Sequence, residues 1–287
     1  KPEALRHTLL LELQHLAQTP ARTTDTTLLV HPLVLQDFDD FNAFQGVVEA
    51  AVQDLGLEGV LVLSAMAALR GAFEGKADEF KSVKLLAAHT HGPGLFHTKQ
   101  PVVGLESLRG MKIRGGSRII NNMLTKLGAT PVGMPVPAVT EALSKGVIDG
   151  TTIPWEVTPA LKVSQLVKNH TTFAGKNGLY TQTFAFSMNK AAYEKLPADL
   201  KKVIDDNSGI ETAAMFGRAM DEGDKVGRAI AEKAGNKIVA LDIAETQRWR
   251  RTASTVETDW VAEMKGKNID GAKLASEARA LIAKHQR

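Results

Sequence analysis

The sequence contains no cysteine in its 287 residues. This excludes disulfides, thiolate nucleophiles and any zinc or iron–sulfur site held by cysteine sulfur. No apolar run reaches the roughly 18 residues of a membrane-spanning helix. The longest stretch, residues 59–69, is closed off by Glu58 and Arg70. An excess of one charge is also missing: 35 Lys+Arg stand against 32 Asp+Glu. A dedicated nucleic-acid binder concentrates positive charge on one stripe. Here the signs are interspersed, and the clusters Lys201-Lys202 and 248–251 have acids close by. They read as solvated helix faces, so no nucleic-acid partner is expected. The phosphate-loop, dinucleotide and nucleophile-elbow patterns GxxxxGK[ST], GxGxxG and GxSxG are absent, so no cofactor is expected. The chain begins at Lys1 rather than Met. It reads as a processed or trimmed chain, with any export signal taken as already removed.

What is present is an ordinary globular composition, 44% hydrophobic with 24 Gly and 11 Pro. The length suggests about two domains. Leu5, Leu9, Leu13 and Leu16 recur near helical spacing over residues 2–18, and Phe38, Phe41, Phe44, Val48 and Val52 mark a second amphipathic helix. A short strand is expected at 27–30, and 60–63 reads either as a second strand or as the start of a buried helix. From there a strand is expected at 83–88, a loop at 89–94 and a strand at 110–114. Ser117 then caps a helix that Gly128 stops. A strand at 129–134, a helix at 137–145 and a strand from 147 complete a mixed α/β lobe. A strand at 184–188 leads through Asn189 into helix. Residues 197–234 read as one long helix that Gly209, Gly217, Gly223 and Gly227 are placed to bend. A strand at 237–241 and two closing helices follow, the first carrying both Trp249 and Trp260.

Arg114 is the most informative residue. It ends a strand whose next turn, Gly115-Gly116-Ser117, opens a helix. Free backbone N–H groups at a helix start attract anions, and a guanidinium offers a carboxylate two parallel hydrogen bonds. The competing reading pairs Arg114 with a surface acid. Trp155 and Glu156 follow a strand end. The indole face offers a cover for an apolar ligand, or simply fills a core. Glu156 offers an acceptor for a ligand hydroxyl or a partner for Arg114. His89 and His91 share one face of a strand, but no third metal ligand is evident. The loop containing His91, Gly92 and Pro93 is instead expected to line a small-molecule site, because its glycines let backbone approach closely.

Residues 105–114, 127–131, 142–150, 187–190 and 196–200 together resemble the solute-binding proteins of tripartite ATP-independent periplasmic (TRAP) transporters. The resemblance covers about residues 78–287. It implies an α/β fold of two lobes with a ligand cleft between them and a long helix spanning both. One lobe would hold 1–97 plus 187–225, the other 98–186 plus 226–287. It also implies that Arg114 clamps a ligand carboxylate, with Phe184 among the lining residues, and that the partners are a small organic acid and the transporter's membrane subunits. Ile153 stands where most members have Asn, and Gly94 where sugar-acid binders tend to carry a second Arg. Both changes point to a less polar monocarboxylate such as an aromatic or 2-keto acid.

The expectation is therefore a periplasmic binding protein with no catalytic turnover. The alternative is an enzyme on a related two-lobed scaffold acting on a small carboxylic acid, with Glu156 and a histidine from 89–97 as acid and base. A third reading, the effector lobe of a transcription regulator, lacks a recognition helix.

Overall fold

The computed structural model describes residues 83–175 and 178–285. The helices expected at 2–18 and 38–52, the strand at 27–30 and the strand or helix start at 60–63 lie outside the described residues. The chain divides into two compact units, Lys1–Asp37 and Phe38–Arg287; the described elements belong to the second.

These elements form an α/β fold with two sheets. In the smaller, β1 (Val83–Thr90) pairs antiparallel with β7 (Thr183–Asn189), with an irregularity between Leu85 and Ala87. The larger contains β2 (Leu95–Thr98), β3 (Lys112–Gly115), β4 (Thr130–Gly133), β5 (Gly150–Ile153), β6 (Asn169–Thr172) and β8 (Lys237–Ala240). Its strand order is β4-β3-β5-β2-β6-β8. β3 runs parallel to β4 and β5, and β6 parallel to β8, while β2 is antiparallel to both its neighbours. β2 and β6 were not legible as strands, since Leu95-Phe96-His97-Thr98 and Asn169-His170-Thr171-Thr172 are short and lack alternation.

Local chemistry explains the first helix well. α1 (Arg118–Lys126) starts where the Ser117 hydroxyl accepts the Ile120 N–H at 3.2 Å, a cap worth about 1 kcal/mol. Ile119, Ile120, Met123 and Leu124 bury one face, and Gly128, at φ +94°, terminates the element. Each of those side chains contributes about 2 kcal/mol by leaving water. α2 (Val139–Ser144) and α3 (Val163–Leu166) follow. After β7 come α4 (Lys190–Glu194), α5 (Ala198–Asp206) and α6 (Ile210–Lys233). α7 (Ile243–Ala253), α8 (Thr255–Gly266) and α9 (Gly271–His285) close the chain. Trp249 and Trp260 fall on separate helices, so three helices replace the two expected.

Among the described residues the apolar interior has two parts. One joins Phe96, Ile113 and α1 to Trp249, Trp260 and Met264. The other gathers Leu143 of α2, Ile148, Ile153 and Val167. Ile153 is therefore a core residue, 2% exposed.

The stretch 197–234 is not one helix. Gly209 adopts φ +90° and donates its N–H to Leu86 of β1 at 2.6 Å. That left-handed conformation cannot continue an α-helix, so α5 and α6 are distinct. The remaining glycines stay inside α6 and act by their size. Its buried positions are Ala213, Gly217, Gly227 and Ala231. A Cβ at Gly227 would stand 2.0 Å from the Trp155 carbonyl oxygen. Gly227→Ala is thus expected to cost about 1–3 kcal/mol in a urea titration. At a solvent-facing helical glycine the same change gains about 1 kcal/mol, so the sign is the test.

Candidate functional site

Arg114 lies near the carboxyl ends of parallel strands β3 and β4, where open α/β sheets bind ligands. It is 4% exposed. Its Nε donates to the Met134 carbonyl at 3.0 Å, and the Thr152 hydroxyl donates to the Arg114 carbonyl at 3.2 Å. Among the described residues no carboxylate lies within ion-pair distance of the guanidinium. Burial pulls its pKa down from the usual value, yet arginine stays charged in proteins. A buried cation without a counter-ion is costly, and an arriving anion removes that cost. A Cβ on Gly116 would lie 3.3–3.4 Å from the two terminal nitrogens of Arg114 and 3.1 Å from the Gln182 amide oxygen. Glycine there leaves the fork room.

Facing Arg114 are two segments that run side by side between the sheets. The Gly94 N–H donates to Tyr180 at 2.7 Å, Leu179 donates back to Gly94 at 2.8 Å, and the Thr181 hydroxyl donates to the His91 carbonyl at 2.7 Å. The His91 ring meets the Tyr180 ring edge-on at 5.5 Å and Phe184 at 5.8 Å. His89 stacks on Phe184 at 5.2 Å and touches Phe216 at 5.0 Å. The Tyr180 hydroxyl donates to Thr152 at 2.9 Å. Burial lowers the pKa of His89 and brings that of His91 down to about 4, the latter helped by the charges of His89 and Arg114. The site is thus one buried cation beside a wall of aromatic rings and neutral imidazoles. His89 and His91 pack as part of this wall, and no group of three or more metal-ligating side chains occurs among the described residues.

Of the expected site residues, Arg114, His91 and Phe184 come together. The other four converge on α6 instead. The Glu156 N–H donates to the Asp224 carboxylate at 2.7 Å, and Glu156 Cβ lies against Gly223. Glu156 does not pair with Arg114. Burial, then the charge of Asp224, raises its pKa to about 7; burial raises Asp224 to about 6. Gly92 is small because Asp224 fills the space beside it, where a Cβ would meet the carboxylate at 2.0 Å. Pro93 packs on Gly178 and borders a cleft of about 530 Å³ with Leu95, Trp155 and Phe173. Arg114 does not line that cleft.

The Trp155 ring covers a buried polar pair rather than an open face. It lies 4.8 Å from both His97 and His170. His97 Nδ1 and His170 Nδ1 are 2.7 Å apart, His97 Nε2 is 3.1 Å from the Ile153 carbonyl, and the Asn236 amide nitrogen is 3.0 Å from His170 Nε2. Carbonyl and amide fix the protons. Asn236 donates to His170, His170 to His97, and His97 to Ile153. Both rings are neutral, and burial lowers their pKa values to about 3 for His97 and about 4 for His170.

Tyr180, Gln182 and Phe216 were missed. The first two were readable in principle, because Tyr180, Gln182 and Phe184 alternate at strand period. Phe216 was not, since it reaches the site only through the docking of α6.

Residues 71–263 match the family described as bacterial extracellular solute-binding protein, family 7. Residues 1–81 match a different family, described as a protein of unknown function (DUF1415). A solute-binding protein of Albidiferax ferrireducens is 30% identical over 203 residues, which is 70% of this chain but 58% of that protein. The chain thus spans well under two thirds of that relative's length. A TRAP solute-binding protein from Rhodoferax ferrireducens, solved with copurified benzoate, superposes with TM-score 0.79 at 42% identity, covering 85% of this chain and 76% of that one. A marine-metagenome TRAP solute-binding protein, solved with 3-hydroxybenzoate, gives 0.75 at 39% identity, with coverages of 85% and 78%.

Proposed function

The chain belongs to family 7 of the bacterial extracellular solute-binding proteins, and from that premise we propose that it captures a small aromatic monocarboxylate in the periplasm and delivers it to the membrane subunits of a TRAP transporter. The observation that carries this reading is the buried Arg114, which has no carboxylate partner among the described residues, beside the rings of His91, Tyr180 and Phe184. The guanidinium takes the carboxylate through paired charge-assisted hydrogen bonds, and the rings take the apolar body by stacking and exclusion of water. The benzoate-bound relative at 42% identity supports the ligand class. Export to the periplasm accords with the family, and no described helix is long and apolar enough to cross a membrane.

Delivery is assigned to lobe closure. The lobes are taken as 98–186 plus 226–287 and, through its described part, 83–97 plus 187–225, the remainder of 1–97 lying outside the described residues. The side-by-side segments at 91–94 and 178–182 form the crossing, with α6 as the strut. A ligand bound between lobes favours the closed conformer by its differential affinity, and that conformer is what the membrane partner reads. No catalytic step is assigned: the family and the matched structures are transport proteins, and Glu156 faces α6.

The test is a thermal-shift screen of aromatic acids, 2-keto acids and sugar acids. At a hundredfold excess over its Kd, a ligand adds about 2.7 kcal/mol of stability. Aromatic acids are expected to give the largest shift. Phe184→Ala should weaken them by about 1–2 kcal/mol while changing small 2-keto acids less. A screen in which only sugar acids or 2-keto acids shift the protein would overturn the aromatic assignment.

A further inference from the structure

His91 presents the site with a second recognition atom. Its Nδ1 contacts the carbonyl oxygen of Gly92. A carbonyl only accepts, so Nδ1 carries the ring proton, and in a neutral imidazole Nε2 is then a bare acceptor. Among the described residues Nε2 has no hydrogen-bond partner, and it is not one of the sealed polar atoms. The ring cannot readily turn away. The rings of Tyr180, edge-on, and Phe184, tilted, pack against it at 5.5 and 5.8 Å, and the Thr181 hydroxyl holds the His91 carbonyl at 2.7 Å. Burial lowers the pKa of the imidazole to about 4, so at neutral pH the ring is uncharged and the acceptor is present.

Arg114 offers only donors, and His91 offers a fixed acceptor close enough to feel the guanidinium's charge. The complement of this pair is a molecule with an anionic acceptor and one hydroxyl donor on an aromatic body. We propose that His91 is a specificity-determining residue, its Nε2 accepting a hydrogen bond from a hydroxyl on the bound acid and so selecting hydroxylated aromatic acids over unsubstituted ones. This deepens the aromatic-carboxylate reading and rests on it. A ligand without the hydroxyl leaves Nε2 desolvated and unpaired, a penalty that discriminates more sharply than a missing methylene.

The hydroxyl has two chemical sources, the ring itself or the carbon beside the carboxylate. Calorimetric titration of the full chain with benzoate, 3-hydroxybenzoate, 3-methoxybenzoate and mandelate separates them. The methyl ether keeps the oxygen but has no proton to donate. At least one hydroxylated acid is expected to bind about tenfold or more tightly than benzoate, and 3-methoxybenzoate no tighter than benzoate. In His91→Phe, which keeps an aromatic ring, the ratio of hydroxylated acid to benzoate should collapse toward one. If neither 3-hydroxybenzoate nor mandelate binds the wild type more tightly than benzoate, the role of His91 is overturned and the aromatic-acid reading stands. If no acid binds, the aromatic-acid reading itself falls and takes this one with it. The ligand series needs no variant, so a His91→Phe protein that failed to fold would not remove the test.

Discussion

Arg114→Met is expected to abolish carboxylate binding and, at the same time, to make the unliganded protein more stable. Both effects come from one fact. The guanidinium is 4% exposed, and its Nε donates to the neutral Met134 carbonyl. Truncating one partner of a buried charge pair costs about 2–5 kcal/mol of binding, a loss of roughly 30- to 5,000-fold in affinity. Without ligand the same charge is a liability, because it has been moved from water with no counter-ion among the described residues. Replacing buried ionic groups with apolar side chains of similar volume is neutral or stabilising by about 1–4 kcal/mol. Calorimetry with benzoate and urea unfolding of the ligand-free protein should therefore move in opposite directions. Arg114→Lys should bind at an intermediate level, since it keeps the charge and loses the planar fork. A large loss of ligand-free stability in Arg114→Met would show that the guanidinium serves the fold and not a ligand.

Glu156→Gln is expected to be more stable than the wild type by about 3 kcal/mol at alkaline pH, with the difference vanishing near pH 4. Glu156 has its pKa raised from 4.5 to about 7 by burial and by Asp224. A carboxyl raised in the folded state contributes stability at pH values below its unfolded pKa. That contribution is lost as pH rises through the folded value, at about 1.4 kcal/mol per unit. Glutamine carries no such charge, so above about pH 7 the variant escapes the whole loss.

The histidines have the opposite sign. His91, His97 and His170 are held neutral, with pKa values lowered from 6.5 to about 4, 3 and 4. The unfolded chain takes up their protons below 6.5 and the folded chain does not. Each therefore removes about 1.4 kcal/mol per unit as pH falls toward its folded value. In the wild type Glu156 and Asp224 offset part of that loss between pH 6.5 and 4.5. Glu156→Gln removes one offset, so its acid limb should be steeper. Urea titrations from pH 4 to 8 measure both limbs. A difference between variant and wild type that stayed constant with pH would show that Glu156 is not the group that titrates.

Much of the fold was legible in the sequence. Ser117 and Gly128 bound α1 where capping chemistry places them. The alternation of strand and helix over 110–153 appears as β3, α1, β4, α2 and β5. These are local features, decided by side-chain caps, periodicity and glycine backbone preference. The candidate anion site at Arg114 could be proposed for the same reason, because a strand end, a glycine turn and a helix start are all short-range. β2 and β6 were not legible. Neither segment alternates, and each takes its stability from neighbouring strands on both sides.

The sequence by itself determined the α/β class, the absence of thiol chemistry, the family resemblance and Arg114 as the carboxylate candidate. Only the tertiary structure decided what stands around Arg114. Trp155 and Glu156 are neighbours in sequence and were expected at the ligand. α6 approaches so closely through Gly223 and Gly227 that Glu156 is drawn to Asp224, while the Trp155 ring covers His97 and His170. Tyr180 and Phe184 reach the site because 178–182 pairs with 91–94, and Phe216 because α6 docks beside β1. Such partnerships join positions tens of residues apart. Their energies come from packing and desolvation between distant segments, and these exist only once the chain has folded.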